Sequence, residues 1–315
     1  MMIIIGFLLL IVGADILIKG SSNIAKKFNI PEILIGLTIV ALGTSMPELI
    51  ITISSANQNA TDLIIGNAIG SNLCNLLFIM GIIAILRPIS IDKETRYIHL
   101  PVALFSTIAV LCLGIGILGS ANNIISRNDG IILVLLYAIY FLYPVIIEIK
   151  DIKKSVEEEK KKHIKTKSTL LSILFIILGV IALKNGGDIV VKEATEIAAR
   201  HNISERVIGL TIVAIGTALP ELVTSIIAVI KKEGDLAVGN LIGSCILNSF
   251  LILGTGAIIT PLAFSKEFIF NLVLLIFSTI LIGAFCLIGK KNTITKYKAI
   301  ILLGMYGLYM VNLFK

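Results

Sequence analysis

The chain of 315 residues is 57% hydrophobic and only 15% charged, with a mean hydropathy of +1.00. That much apolar surface exceeds what a soluble domain can bury, so the chain belongs in a bilayer and no soluble catalytic domain is expected. A formal net charge of +7 would direct a soluble protein toward nucleic acid, but in a membrane chain the distribution of charge among loops is what informs, and no nucleic-acid partner is expected.

About ten apolar stretches, each near the ~20 residues that cross a hydrocarbon core as a helix, run from 2 to 19, 32 to 57, 62 to 86, 98 to 119, 129 to 149, 168 to 187, 205 to 230, 236 to 260, 268 to 289 and 297 to 313. They are continuous rather than alternating, which favours helices over a membrane barrel. The first lacks a basic leader and an Ala-x-Ala cleavage pattern, so it reads as a retained span. The expected class is an all-α polytopic membrane protein of about ten transmembrane helices.

Asp15 and Lys19, near the end of the first span, are spaced as an i, i+4 ion pair, and Asp188 and Lys192 repeat that spacing in the sixth. In the second span, GLTIVALGTSMPELI places Pro47 where its missing amide deprives the carbonyl of Gly43, so the helix should kink or break there, with Glu48 following at once. Thr44 and Ser45 share a helical face with Glu48. In the third span, GNAIGSNLCN sets Ser71 and Asn75 on one face, and its small residues allow close helix approach. The loops after spans one, three, five, seven and nine carry 20 of the 27 Lys and Arg residues against 7 on the opposite side, which makes the rich side cytoplasmic and places both termini outside a plasma membrane.

The stretch from Lys150 to Lys167, which also holds Glu157, Glu158 and Glu159, reads as a solvated cytoplasmic linker. It divides the chain into a first half, 1–149, and a second, 168–315, each with five spans. In the second half GLTIVAIGTALPELV and GNLIGSCILN rewrite the two motifs at a constant offset of 173, so Pro220, Glu221 and Thr217 answer Pro47, Glu48 and Thr44, while Ser244 and Asn248 answer Ser71 and Asn75. Gly6 and Gly179, Asp15 and Asp188, Asn29 and Asn202, Gly81 and Gly254, and Pro88 and Pro261 keep the same register. An odd number of spans per half inverts the second repeat, the architecture in which transporters hold substrate where the repeats meet. Asn67 and Asn240 read as structural side chains that cap or link helices beside the site.

A charged residue inside an apolar span is costly and usually functional, so a matched pair implies one shared site. Pooled, the halves offer two carboxylates, several hydroxyls, two side-chain amides and freed carbonyls, all hard oxygen donors suited to calcium, sodium or magnesium rather than zinc or copper. Calcium fits a dehydrated cage better than magnesium. Two ionised glutamates neutralise one divalent cation, whereas left bare they repel each other and call for protons or monovalent ions, which favours exchange over uniport. Cys74, Cys112, Cys245 and Cys286 show no CxxC pairing, and His99, His163 and His201 are scattered, so neither a disulfide nor a zinc site is expected.

The pairing of GTSMPE with GNAIGSNLCN, and of GTALPE with GNLIGSCILN, resembles the alpha repeats of the sodium/calcium exchangers in the calcium/cation antiporter superfamily, most closely the compact prokaryotic members. The resemblance covers essentially the whole chain. It implies an antiporter, not an enzyme and without a cofactor, that exchanges Ca2+ for Na+ by alternating access, electrogenically, as a monomer in the lipid bilayer. It further implies that Glu48 and Glu221 coordinate calcium with main-chain oxygens of Thr44 and Thr217. Sodium would add Ala41, Ser45, Ser71, Ala214, Thr217 and Ser244, the alanines through their carbonyls, while Asn75 and Asn248 hold midplane positions and the first and sixth helices form a sliding gate. This chain carries Asn248 where such exchangers often have Asp and Ala218 where they often have Ser, which leaves two charged ligands and one hydroxyl fewer. Proton/calcium exchange, with H+ as the counter-ion, is the alternative reading, and a cation channel or an intramembrane hydrolase is a more distant one.

Overall fold

A computed structural model describes residues 2–28, 30–118, 123–142, 168–200, 214–288 and 292–313. Within them helices stand at all ten expected positions: Met2–Phe28, the bent pair Glu32–Thr44 and Met46–Asn57, Thr61–Leu86, Thr95–Gly114, 127–142, Thr169–Arg200, the pair Ala214–Thr217 and Leu219–Ile230, Gly234–Ile259, Glu267–Phe285, and Lys296–Leu313. Six of these helices are long and apolar enough to cross a membrane, and the bent pair makes a seventh span. The linker expected at 150–167 and His163 and His201 lie outside the described residues.

Span ends depart from the apolar boundaries where the helix outlasts the hydrophobic run. The first span continues to Phe28 and the sixth to Arg200, through Lys26, Lys27, Lys192, Glu193 and Glu196. Long charged side chains can carry their heads to polar surroundings while the backbone keeps its helical bonds. The fourth helix stops at Gly114, short of 119, because Gly116 turns left-handed at φ 80° and the Ile117 amide folds back to the Cys112 carbonyl.

The spans sort by burial. In its most apolar stretch the eighth span is 94% buried and the third 72%, against 33% for the first, 28% for the sixth and 33% for the ninth. The third and eighth helices, which carry GNAIGSNLCN and GNLIGSCILN, thus form the centre, and outward residues such as Phe7, Leu8, Phe270 and Phe277 leave the periphery apolar, as a lipid-facing surface requires.

Inversion is visible in reciprocal contacts. A Cβ on Gly13 would sit 2.9 Å from the Leu183 nitrogen and 3.0 Å from the Gly179 carbonyl, and one on Gly179 would sit 2.8 Å from both the Gly13 carbonyl and the Leu17 nitrogen. Gly6 and Gly186 meet in the same way, so the first and sixth helices pack backbone to backbone in opposite directions. Two short antiparallel ladders repeat the relation. β1 (Ile89–Ser90), after the third span, pairs with β4 (Thr293–Ile294), after the ninth, and β2 (Ile124–Ile125), after the fourth, pairs with β3 (Leu262–Ala263), after the eighth. Odd-numbered loops therefore meet odd and even meet even, as helices crossing in alternation demand. Positive backbone φ recurs at matched corners too, 56° at Asn59 and 69° at Lys232, and 61° at Asn123 and 58° at Asn292.

Candidate functional site

Both breaks fall where the prolines place them. The second span bends by 46° at Ser45, and the helix resumes at Met46 with Pro47 and Glu48 in its first turn. The seventh breaks at Ala218 and resumes at Leu219 with Pro220 and Glu221 in the matching turn. Ser45 and Ala218 share one backbone conformation, φ −87° with ψ 12° and 3°. Each glutamate consequently sits at a helix N-terminus, where unpaired amides and the aligned peptide dipoles favour negative charge. Both are 1% exposed and close enough to interact electrostatically.

The halves reach across to each other. Ser45 Oγ donates to Glu221 Oε1 at 2.8 Å and lies 3.0 Å from the Ser244 hydroxyl, with Thr44 and Ser244 also within reach of that carboxylate. Ser71 Oγ donates to Glu48 Oε1 at 3.4 Å, a long contact. The inequality has a sequence counterpart: Ala218 occupies the repeat position of Ser45, so the hydroxyl that Ser45 sends to Glu221 has no equivalent at position 218. Thr44 spends its own hydroxyl on Asn240 Oδ1 at 3.0 Å, and Asn240 in turn donates to Ser225 at 3.3 Å. The expected linking role of Asn240 is thereby seen directly.

Glu48, Glu221, Ser45, Ser71, Ser244, Thr44, Asn75 and Asn248 are all buried at this meeting of helices, and Thr217 is 9% exposed at its edge. The Ala41 carbonyl accepts the Ser45 amide at 3.0 Å and lies 3.3 Å from the Thr44 hydroxyl, so it is engaged within its own helix. Ala214 opens the described part of the seventh span. Asn75 and Asn248 lie in widened, π-helical turns, Cys74–Ile79 and Asn248–Ile252, a local form often found at functional positions.

Asn72 is a participant that the repeat comparison passes over, because its mate is Cys245 and not another amide. Its Nδ2 donates to the Cys245 carbonyl at 3.2 Å and to Ser249 Oγ at 3.1 Å, and its Oδ1 accepts from Asn248 Nδ2 at 3.0 Å. A residue that bonds its own repeat mate stands on the axis relating the halves. The signal was the extra amide in GSNLCN.

Among the buried oxygens that lack a partner are four carboxylate and amide oxygens of this site, Glu48 Oε2, Glu221 Oε2, Asn75 Oδ1 and Asn248 Oδ1, which form two repeat-related pairs. Buried acceptors of this kind are costly unless something positive meets them. Among the described residues no group of three or more His, Cys, Asp or Glu exists, so the set is one of hard oxygens around two charges.

A cleft of about 220 Å³ leads toward the breaks, lined by Pro47, Gly187, Asp188, Val191, Thr217 and Pro220. The ion pair on its wall differs from the expected one: Asp188 takes Lys184, one turn earlier, at 2.8 Å, and not Lys192. Lys184 replaces Ile11 of the first repeat, so Asp188 has a cation one turn away on either side along its own helix, where Asp15 has Lys19 alone on its helix, at 2.6 Å.

The sodium/calcium exchanger protein family profile matches residues 1–146 and 171–315. An inner membrane protein, YrbG, of Escherichia coli K12 is 34% identical over 85% of this chain and 83% of its own length. The sodium/calcium exchanger MaX1 of Methanosarcina acetivorans is 29% identical over 100% of this chain and 98% of its own. A solved structure of the sodium-calcium exchanger NCX_Mj superposes with a TM-score of 0.84 at 31% identity, covering 98% of this chain and 97% of that one.

Proposed function

The chain belongs to the sodium/calcium exchanger protein family, and on that premise we propose that it is a secondary antiporter that exchanges Ca2+ for Na+ by alternating access at a single site between its two breaks. The observation that carries this reading is the pair of buried glutamates with their donorless oxygens, duplicated with the asparagine oxygens across the repeat axis. Two negative charges balance one divalent ion stripped of water, and hard oxygens suit calcium and sodium alike.

In this mechanism Glu48 and Glu221 supply the charge and face the same ion from opposite helix N-termini. Main-chain oxygens of Thr44 and Thr217 complete the calcium shell, and Ala41, Ala214, Ser45, Ser71 and Ser244 serve sodium. Asn75 and Asn248 lend neutral oxygens between the carboxylates. Calcium departs only when sodium takes its place, since bare buried carboxylates repel. If three sodium ions replace one calcium, each cycle moves one charge, worth about 2.3 kcal/mol per 100 mV.

The protein is a multi-pass membrane protein. We place it in the plasma membrane as a monomer, with halves 1–149 and 168–315 joined by a cytoplasmic linker at 150–167, the lysine-rich loops inside and both termini outside, on the loop charges alone. Calcium uptake into proteoliposomes under an imposed outward sodium gradient tests the coupling. Uptake that ignores sodium and follows only a proton gradient overturns it.

A further inference from the structure

We propose that Lys231 and Asp15 form a one-sided latch, an ion pair that holds the exchanger closed on the side of the odd-numbered loops and has no counterpart on the other side. Lys231 follows the resumed half of the seventh span, and its ammonium contacts Asp15 Oδ1 at 2.7 Å and the Asp15 carbonyl at 3.0 Å. The pair thus ties the first helix to the helix that carries Glu221. Lys26 adds a second tie from the first helix to Glu233, in the same loop, at 3.7 Å. Both partners of the main pair are partly withdrawn from solvent, with side chains 24% and 34% exposed.

The repeat predicts what should stand at the opposite end. Asp15 answers Asp188, but Lys231 answers Gln58, which is uncharged and turns its amide to Ser54 of its own helix. Among the described residues no ion pair joins the sixth helix to the end of the second span, and the cleft opens along that helix. The molecule is therefore latched where the charge pair lies and open where it is missing. In the inverted state, with the first and sixth helices displaced along their glycine contacts, closure would set Asp188 against Gln58 and gain no ion pair. The two end states consequently differ in energy, with the latched state favoured.

A latch of this kind lowers the fraction of molecules able to take ions from the Lys231 side and raises the apparent dissociation constant there by that fraction. A pair this exposed shifts the balance by up to about fivefold. The inference rests on the antiport reading for its flux test but not for its conformational one.

The test uses full-length protein in proteoliposomes of known orientation, with half-saturation for calcium measured on each side, together with hydrogen–deuterium exchange across residues 11–22 and 226–236. Lys231→Gln, which copies Gln58, is expected to lower half-saturation on the Lys231 side by up to about fivefold, leave or slightly raise it on the other side, and speed exchange in both segments. Asp15→Asn should reproduce this, and Lys231→Arg should match wild type. Gln58→Lys, facing Asp188, should shift the sides in the opposite sense. Equal shifts on both sides, or unchanged values with unchanged hydrogen exchange, overturn the latch. Wild-type protein without sodium-driven calcium flux defeats the antiport reading instead, and faster exchange in Lys231→Gln would then still support the latch.

Discussion

Replacing Glu48 by Gln keeps the shape of the side chain and removes one of the two charges at the site. Glu48 is 1% exposed, its Oε1 accepts from Ser71 at a long 3.4 Å, and its Oε2 has no partner among the described residues, so that oxygen is free to act on a cation. Breaking a buried ion pair by deleting one partner costs about 3–5 kcal/mol, which is about 150- to 5000-fold in calcium affinity. Ion-free protein should lose no stability, because an uncompensated buried carboxylate is itself unfavourable. The assay is thermal unfolding with and without calcium. At 100 times its dissociation constant calcium stabilises wild type by about 2.7 kcal/mol, and the same concentration should stabilise Glu48→Gln by about 0.3 kcal/mol or less. Sodium-driven calcium uptake should vanish in parallel. Wild-type calcium stabilisation and flux in this variant would refute the charge argument.

Gly13→Ala places a Cβ 2.9 Å from the Leu183 backbone and 2.9 Å from the Ala182 methyl, where neither helix can yield without shifting its axis; exchange rate should fall about tenfold or more with calcium affinity retained, measured by single-vesicle flux against equilibrium binding. Asn240→Ala removes the Asn240 oxygen that accepts from the buried Thr44 hydroxyl and the amide that donates to Ser225, and should cost about 1–3 kcal/mol of stability, read as a lower unfolding temperature without loss of charge at the site. Asn248→Asp adds a titratable group beside Asn72; it should match wild type at acid pH, where the new carboxyl is protonated, and diverge as pH rises, visible in a pH profile of calcium binding.

Much of this site can be read from the text of the chain because duplication does the selecting. A lone Glu after a proline in an apolar helix has several readings, but Glu48 and Glu221 at one offset, each behind the same proline, leave little room for coincidence, and the breaks at Ser45 and Ala218 follow from the missing amide alone. What duplication does not carry is what differs between the halves. Asn72 escaped because Cys245 stands at its mate. The choice of Lys184 over Lys192 by Asp188 is undetermined by spacing, since i−4 and i+4 are both neighbours on a helix. Helix ends beyond the apolar runs depend on where charged side chains find polar surroundings, and hydropathy marks only the hydrocarbon boundary.

The two unequal carboxylates give the repeat a direction. Glu221 receives the Ser45 hydroxyl across the interface at 2.8 Å, while Ser71 reaches Glu48 at a long 3.4 Å, so the halves share a scaffold without sharing an environment. Ala218 is the residue that makes the difference, by withholding the hydroxyl that Ser45 supplies.

Ion-resolved diffraction on crystals soaked separately in calcium and in sodium bears most directly on the central claim. Calcium should appear between Glu48 Oε2 and Glu221 Oε2 and be displaced from there by sodium. Calcium bound elsewhere, or held between those oxygens regardless of sodium, would contradict the account.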